Sequence, residues 1–212
     1  MMFASREEAG QRLGRHLQDQ GIQADVVLGL PRGGVVVAAE VARTLQLPLD
    51  VVIVRKIGHP LQREFAVGAL GQNGVVVLDE PVIARNPISR ADLNAVVEEE
   101  AERLLTYQAK FHSDRRPELA GKTALIVDDG LATGATTEAA VLSVRKQGPR
   151  RIVVAVPVAS KHAVDRIARV ADEVRALCVD PEFEAVGRYY DIFSQTTDEQ
   201  VLELLRVEKK RA

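Results

Sequence analysis

Hydrophobic positions along the chain follow two alternating patterns. Short, nearly unbroken apolar runs occupy residues 24–30, 49–54, 122–127, 152–158 and 173–179, each the length of a strand buried on both faces. Between them, residues 35–45, 135–147 and 161–170 carry apolar side chains at helical spacing. A helix is also predicted ahead of the first strand. Ser5-Arg6-Glu7-Glu8 has the spacing of a capping box, Ala9, Leu13 and Leu17 share one face up to about Gln20, and Gly21 ends the run. Such strands alternating with helices predict an α/β fold: a doubly wound, mainly parallel five-stranded sheet flanked by helices.

Three segments interrupt this alternation. Residues 55–63 are too rich in charge, Gly and Pro to be core and are expected to form an exposed loop, whereas 65–70 and 75–78, separated by Gly71-Gln72-Asn73-Gly74, predict a hairpin. Residues 89–111 form the longest helical pattern, with Ser89 and Asp92 at capping spacing. Its run Glu98-Glu99-Glu100 reads as a solvated face rather than a metal site. After residue 180 come a loop containing aromatic residues and a last helix from about Thr197, ending at Lys209-Lys210-Arg211. The division expected is a core over 1–179, with a loop and hairpin at 57–78 and a helical insertion at 87–116, followed by a smaller unit over 180–212.

Composition narrows the picture. Of 212 residues, 46% are hydrophobic and only 4% aromatic, with no Trp, so the core must be built from Val, Ala, Leu and Ile. A net charge of −2 gives no broad positive field, and a nucleic-acid partner is not expected. No apolar run approaches the roughly 20 residues of a membrane span, and the charged start lacks a signal-peptide core. A cytoplasmic protein without membrane partners is therefore expected. The single cysteine, Cys178, lies in an apolar run and reads as a buried, inert thiol.

Ligands of open parallel sheets bind outside the carboxyl ends of the strands, which directs attention to the loops after Leu30, Val54 and Val127. The third is the most informative. A buried strand ends in Asp128 and Asp129 and passes through Gly130-Leu131-Ala132-Thr133-Gly134-Ala135-Thr136-Thr137 into a helix. Small residues leave backbone N–H groups uncovered, the helix start is positive, and the threonines add hydroxyl donors, which together make a cradle for a phosphate monoester. The two carboxylates would repel that phosphate but can accept from the hydroxyl groups of an attached sugar. The plainer alternative is an ordinary capped helix. Gly121-Lys122-Thr123 imitates the end of a nucleotide-binding P-loop, but it precedes a strand instead of following one, and Arg116 stands where the first Gly should be.

The string from Leu125 to Thr137 resembles the phosphoribosyl pyrophosphate (PRPP) motif of the type I phosphoribosyltransferases, matching it at Asp128, Asp129, Thr133, Gly134 and Thr136. The resemblance extends over roughly residues 24–179. It implies 5′-phosphate binding by Ala132, Thr133, Gly134, Ala135 and Thr136, with Asp128 and Asp129 as catalytic residues at the ribose. Pro31-Arg32-Gly33-Gly34 looks like the family's pyrophosphate loop, with Arg32, Gly33 and Gly34 as ligands and a non-prolyl cis peptide after Pro31. Arg55 and Lys56 resemble the basic catalytic residues ahead of a flexible loop that closes over PRPP, which His59, Arg63 and Glu64 could join. The reaction implied is transfer of the phosphoribosyl group from PRPP to a nitrogenous acceptor, a nucleobase or related ring, with release of pyrophosphate. Magnesium would be carried by PRPP and water, with no direct protein ligand.

Enzymes for 6-oxopurines commonly have an Asp two residues before the loop glycine, and Ala132 stands there, a form more like the adenine-type loop. The helical insertion is similar to that of a branch of the family known from sequence prediction. By the same resemblance, residues 180–212 would form a hood over the acceptor, with Phe183, Tyr189, Tyr190 and Phe193 as candidate stacking residues; the alternative is that these rings seal the small unit's own core. Lys161 is more readily an ordinary helix-start lysine than an acceptor ligand. Dimers are frequent in the family, which admits a homodimer without requiring one. The competing function is a PRPP-binding regulator without useful turnover.

Overall fold

The computed structural model describes residues 2–86, 88–111 and 117–209. The predicted insertion over 87–116 thus lies partly outside the described residues, as do His112, Arg116, Lys210 and Arg211. From the start of the chain the elements are α1 (Arg6–Asp19), β1 (Val26–Gly29), α2 (Gly33–Leu45) and β2 (Leu49–Val51). Then follow β3 (Val54–His59), β4 (Gln62–Gly71), β5 (Val75–Leu78), α3 (Glu80–Arg85) and α4 (Arg90–Phe111). The remainder is β6 (Thr123–Val127), α5 (Ala135–Arg145), β7 (Arg151–Ser160), α6 (Lys161–Ile167), β8 (Glu173–Asp180) and α7 (Asp198–Lys209).

The five apolar runs pair as one parallel sheet in the order β2-β1-β6-β7-β8, with Val27 opposite both Leu49 and Leu125. Alternation along each strand sends its side chains into two cores. Val27, Leu125, Val127 and Val153 meet α1 and α2 on one face, while Val26, Ile126, Ile152 and Val154 meet α5 and α6 on the other. Cys178, on the edge strand β8, is only half-buried. The chain leaves β1 toward β2 on one side and later takes up β6 on the other. Between the carboxyl ends of β1 and β6 the connections diverge and leave a crevice.

Residues 55–59 are strand rather than loop. Strands β3, β4 and β5 form a separate antiparallel sheet, with β3 and β4 joined at Pro60-Leu61 and Arg55 opposite Leu70. Charge does not oppose this, because one face of an antiparallel ribbon can stay in water. The hairpin predicted from 65–70 and 75–78 is present as β4 and β5. Pro31-Arg32-Gly33-Gly34 is not wholly loop either, since α2 starts at Gly33.

The acidic run on α4 is not simply solvated. Glu100 is buried and accepts from Arg55 Nε at 2.9 Å and from Arg103 Nη1 at 2.7 Å, while Glu99 is half-exposed and pairs with Arg63 and Arg103. Hydrophobicity patterns alone treat every carboxylate as outward-facing, whereas here α4 docks on the basic strand β3 through complementary charge. Breaking a buried pair leaves an uncompensated charge. Glu100→Ala should therefore cost about 2–3 kcal/mol, reading as a fall of roughly 4–10 °C in Tm by calorimetry. Glu99→Gln should stay within about 1 kcal/mol of wild type.

The smaller unit expected over 180–212 is described as far as residue 209, and within it the last helix joins the main core. Helix α7 packs on α2, and its Val201 and Leu205 join the core that covers the sheet. Only the segment between β8 and α7 lies outside the layers. Among the described residues no helix is long and apolar enough to cross a membrane.

Candidate functional site

The crevice at the switch point is a cleft of about 290 Å³ lined by Leu30, Pro31, Arg32, Gly33, Lys56, residues 128–137 and Val186. Its floor is the loop between β6 and α5, which the end of β7 secures. Leu131 N–H donates to the Val158 carbonyl at 2.9 Å, Ser160 N–H donates to the Leu131 carbonyl at 2.9 Å, and Ser160 Oγ donates to the Ala132 carbonyl at 2.7 Å. Arg166, on α6, reaches the Thr133 carbonyl at 3.4 Å while pairing with Glu138 at 2.5 Å. Gly134 is the N-cap of α5 at φ +79, a left-handed conformation that favours glycine. It has no side chain to cap the helix. Ala135 N–H instead donates to Thr133 Oγ1 at 3.5 Å, and the helix start, its positive end, lines the cleft, an arrangement suited to an anion.

Asp128 and Asp129 stand at the end of β6 opposite the start of α2. Asp129 N–H donates to Asp128 Oδ1 at 2.9 Å, and Tyr190 Oη donates to the Asp129 carbonyl at 2.6 Å. Arg6 Nε donates to Asp129 Oδ2 at 2.7 Å. Burial, and then the charge of Asp129, push the Asp128 carboxyl well above the usual range. Burial also raises Asp129, against the opposing pull of the Arg6 guanidinium. The same burial, with the nearby Asp129 charge, holds the Tyr190 phenol well above its ordinary value.

The turn after β1 faces these carboxylates. Its Pro31–Arg32 peptide is cis, as the resemblance implies. Arg32 lines the cleft, and its Nη1 lies 3.4 Å from Oδ1 of Asp198, whose other oxygen accepts from Lys110 Nζ at 2.6 Å. The missing side chains of Gly33 and Gly34 make room for the acid pair. A Cβ on Gly34 would stand 2.7 Å from Asp128 Oδ1, and one on Gly33 would overlap Asp129 Oδ2 and come 2.7 Å from Arg6 Nε.

The cleft thus gathers Arg32, Gly33, Lys56, Asp128, Asp129, Ala132, Thr133, Gly134, Ala135 and Thr136. It does not gather Arg55, which turns to α4, pairs with Glu100 and lies 5.1 Å from the Tyr107 ring centroid. Adjacent strand residues point to opposite faces, so the cleft receives Lys56 and α4 receives Arg55. Arg63 is likewise taken up by Glu99, His59 Nδ1 accepts from Leu61 N–H at 3.2 Å, and Lys161 pairs with Asp165.

The four late aromatic residues are not among the cleft's lining residues. Tyr189 and Tyr190 are buried with Phe3, Ala9 and Val158, and Phe183 stacks on Tyr189 at 5.3 Å. Phe193 carries the Arg6 guanidinium 3.9 Å from its ring centroid. Tyr189 and Tyr190 fasten the start of the chain to β7, Phe193 is 40% exposed, and Val186 is the residue of that segment that reaches the cleft. Pattern reading also missed Arg6, Arg166 and Asp198. Each acts across a long sequence separation and lies in a helix whose local spacing already accounts for it.

An open parallel sheet whose switch-point cleft joins a helix start to a pair of carboxylates defines an α/β protein with a site suited to an anion and to hydroxyl donors. Comparison with known proteins sharpens that class. The family model described as the phosphoribosyl transferase domain matches residues 5–190, and the chain belongs to this family. Two Mycobacterium tuberculosis proteins, from strains CDC 1551 and H37Rv, are provisionally named phosphoribosyl transferases and are 44% identical to it over 205 residues. The match covers 96% of this chain and 46% of each relative, so the chain spans about half the length of these curated proteins. The crystal structure of the TT1426 protein from Thermus thermophilus is 45% identical, with a TM-score of 0.76 over 97% of this chain and 98% of that one. The AQ2163 protein of Aquifex aeolicus, 16% identical, shares the fold at a TM-score of 0.50 over 86% of this chain and 78% of its own.

Proposed function

We propose that the protein transfers the 5-phosphoribosyl group of PRPP to a ring nitrogen of a planar acceptor, a nucleobase or related ring, and releases pyrophosphate. The observation that carries this reading is the joining, in one cleft, of the open start of α5 with the carboxylates at the end of β6. The cradle from Ala132 to Thr136 holds the 5′-phosphate, and Asp128 and Asp129 accept from the ribose hydroxyls. Arg32 and Lys56 face the pyrophosphate. The acceptor nitrogen forms the new bond at the anomeric carbon as the bond to the pyrophosphate oxygen breaks, with inversion; that electron pair leaves with the pyrophosphate, and the ring proton of the acceptor passes to water or to the departing pyrophosphate. Arg32 and Lys56 stabilise the leaving charge, while the two carboxylates favour the positive charge that develops on the sugar.

The donor set fits magnesium carried by the substrate, because cations line the pyrophosphate side of the cleft and the carboxylates stand at the sugar side. Magnesium bound with PRPP supplies further neutralisation of the leaving group. A calorimetric titration with Mg-PRPP, followed by pyrophosphate-release assays over a panel of nitrogen heterocycles, tests the proposal. Micromolar binding and turnover on at least one ring is the expected result. Absence of PRPP binding defeats the reading, and binding without turnover on any acceptor assigns the protein to PRPP-sensing regulators instead.

A further inference from the structure

Asp129 has a partner for which the reaction outlined above has no role. Arg6 lies in the first turn of α1, 123 positions away, and donates from Nε to Asp129 Oδ2 at 2.7 Å. Its Nη1 donates to the Ser194 carbonyl at 2.8 Å, and the face of its guanidinium stacks on Phe193. The Arg6 side chain is 11% exposed and that of Asp129 16%, so solvent screens the pair weakly. A planar guanidinium held from three directions has one orientation, and through Oδ2 it sets the plane of the carboxylate and hence where Oδ1 stands.

We propose that Arg6 is a positioning residue for the sugar site, keeping the Asp129 carboxylate ionised and aimed to accept from a ribose hydroxyl. The inference rests on the reading of the cleft as a PRPP site. The charged and titratable groups around Asp129 are Asp128 beside it, Arg6 from α1, Lys56 from β3, and the Tyr190 phenol on its carbonyl; α2 faces it with the backbone of Gly33. Burial favours the protonated acid, and Arg6 is the cation in direct contact that opposes it. A protonated carboxyl is a poorer acceptor for a hydroxyl. Loss of Arg6 should therefore move the acid limb of PRPP binding to higher pH.

The test is Mg-PRPP affinity by calorimetry from pH 5 to pH 9, as rough limits, in wild type, Arg6→Gln and Arg6→Lys, with folding checked by circular dichroism. The ligand's own titration is common to all three and cancels in the comparison. Arg6→Gln should bind about tenfold more weakly at neutral pH, with its binding midpoint raised by about one pH unit. Arg6→Lys keeps the charge but not the planar fork, and should lose affinity with its midpoint close to wild type. Equal losses in both variants with unmoved midpoints would indicate a merely structural tie between α1 and Ser194 and overturn the proposal, as would undiminished binding by Arg6→Gln. If Arg6→Gln does not fold, Arg6→Met takes its place as the uncharged variant and is judged by the same outcomes: weaker binding with a midpoint moved to higher pH supports the proposal, and an unmoved midpoint or undiminished binding overturns it. Failure of wild type to bind PRPP would be read separately, with Arg6 intact, and would remove both this inference and the reading beneath it.

Discussion

Replacing both carboxylates, Asp128→Asn together with Asp129→Asn, is expected to weaken Mg-PRPP binding about 100-fold or more with little net change in the melting temperature. The loss of affinity follows from two charge-assisted hydrogen bonds to ribose hydroxyls, each worth about 1.5–3 kcal/mol. The stability half follows from the sign of the pKa shifts. Both carboxyls are raised in the folded protein, with burial as the largest cause. A raised carboxyl favours the protonated form, so relative to the unfolded chain the ionised pair costs stability at neutral pH, and that cost fades as pH falls through the folded values. Asn removes the buried charge and keeps shape and a carbonyl oxygen for Arg6 Nε, but leaves Arg6 without its counter-charge, so two opposing effects on stability remain. Calorimetry of ligand binding and of unfolding on the same variant measures both halves. Retained PRPP affinity would remove the carboxylates from the sugar site, and a large fall in Tm would show them to be structural.

The second large effect is expected from a single methyl group. Gly33→Ala places a Cβ onto Asp129 Oδ2 and 2.7 Å from Arg6 Nε, so the ion pair must move aside or α2 must shift. Overpacking of this kind costs about 1–3 kcal/mol of stability. PRPP affinity should fall as well, by about 30-fold or more, or about 2 kcal/mol, because displacing Asp129 also misaligns the hydroxyl acceptors. Thermal unfolding and Mg-PRPP titration give the two numbers. A folded variant that binds Mg-PRPP as tightly as wild type would show that the carboxylate does not depend on the space the glycine leaves. Read from sequence, the two glycines admit a pyrophosphate close to the backbone; the fold gives their missing side chains a second use, the accommodation of Asp128 and Asp129.

Other differences between sequence and structure share that origin. The Asp128–Thr136 string was legible because its chemistry is local: strand end, small residues and helix start are contiguous, and a phosphate cradle can be inferred from one unbroken stretch of chain. The five strands were legible because strands buried on both faces are apolar throughout. Arg55 and Lys56 could not be told apart along the chain, since both follow the second strand. The pleat of β3 and the position of Glu100 on α4 separate them, sending Lys56 to the cleft and Arg55 to the helix. The late aromatic residues were compatible with a stacking pocket or with a small core; Phe3 and Ala9, at the other end of the chain, bury Tyr189 and Tyr190 with Phe183 against them, while Phe193 stays 40% exposed.

The sequence by itself determined the sheet, its flanking helices and the small-residue loop between β6 and α5, because hydrophobic period and loop composition act over a few residues. Only the tertiary structure decided which charges are spent on one another and which face the cleft. Pairs such as Arg6 with Asp129, Arg55 with Glu100 and Arg32 with Asp198 join residues from 45 to 166 positions apart. An ion pair depends on distance in space and on burial, and neither is written in the order of residues.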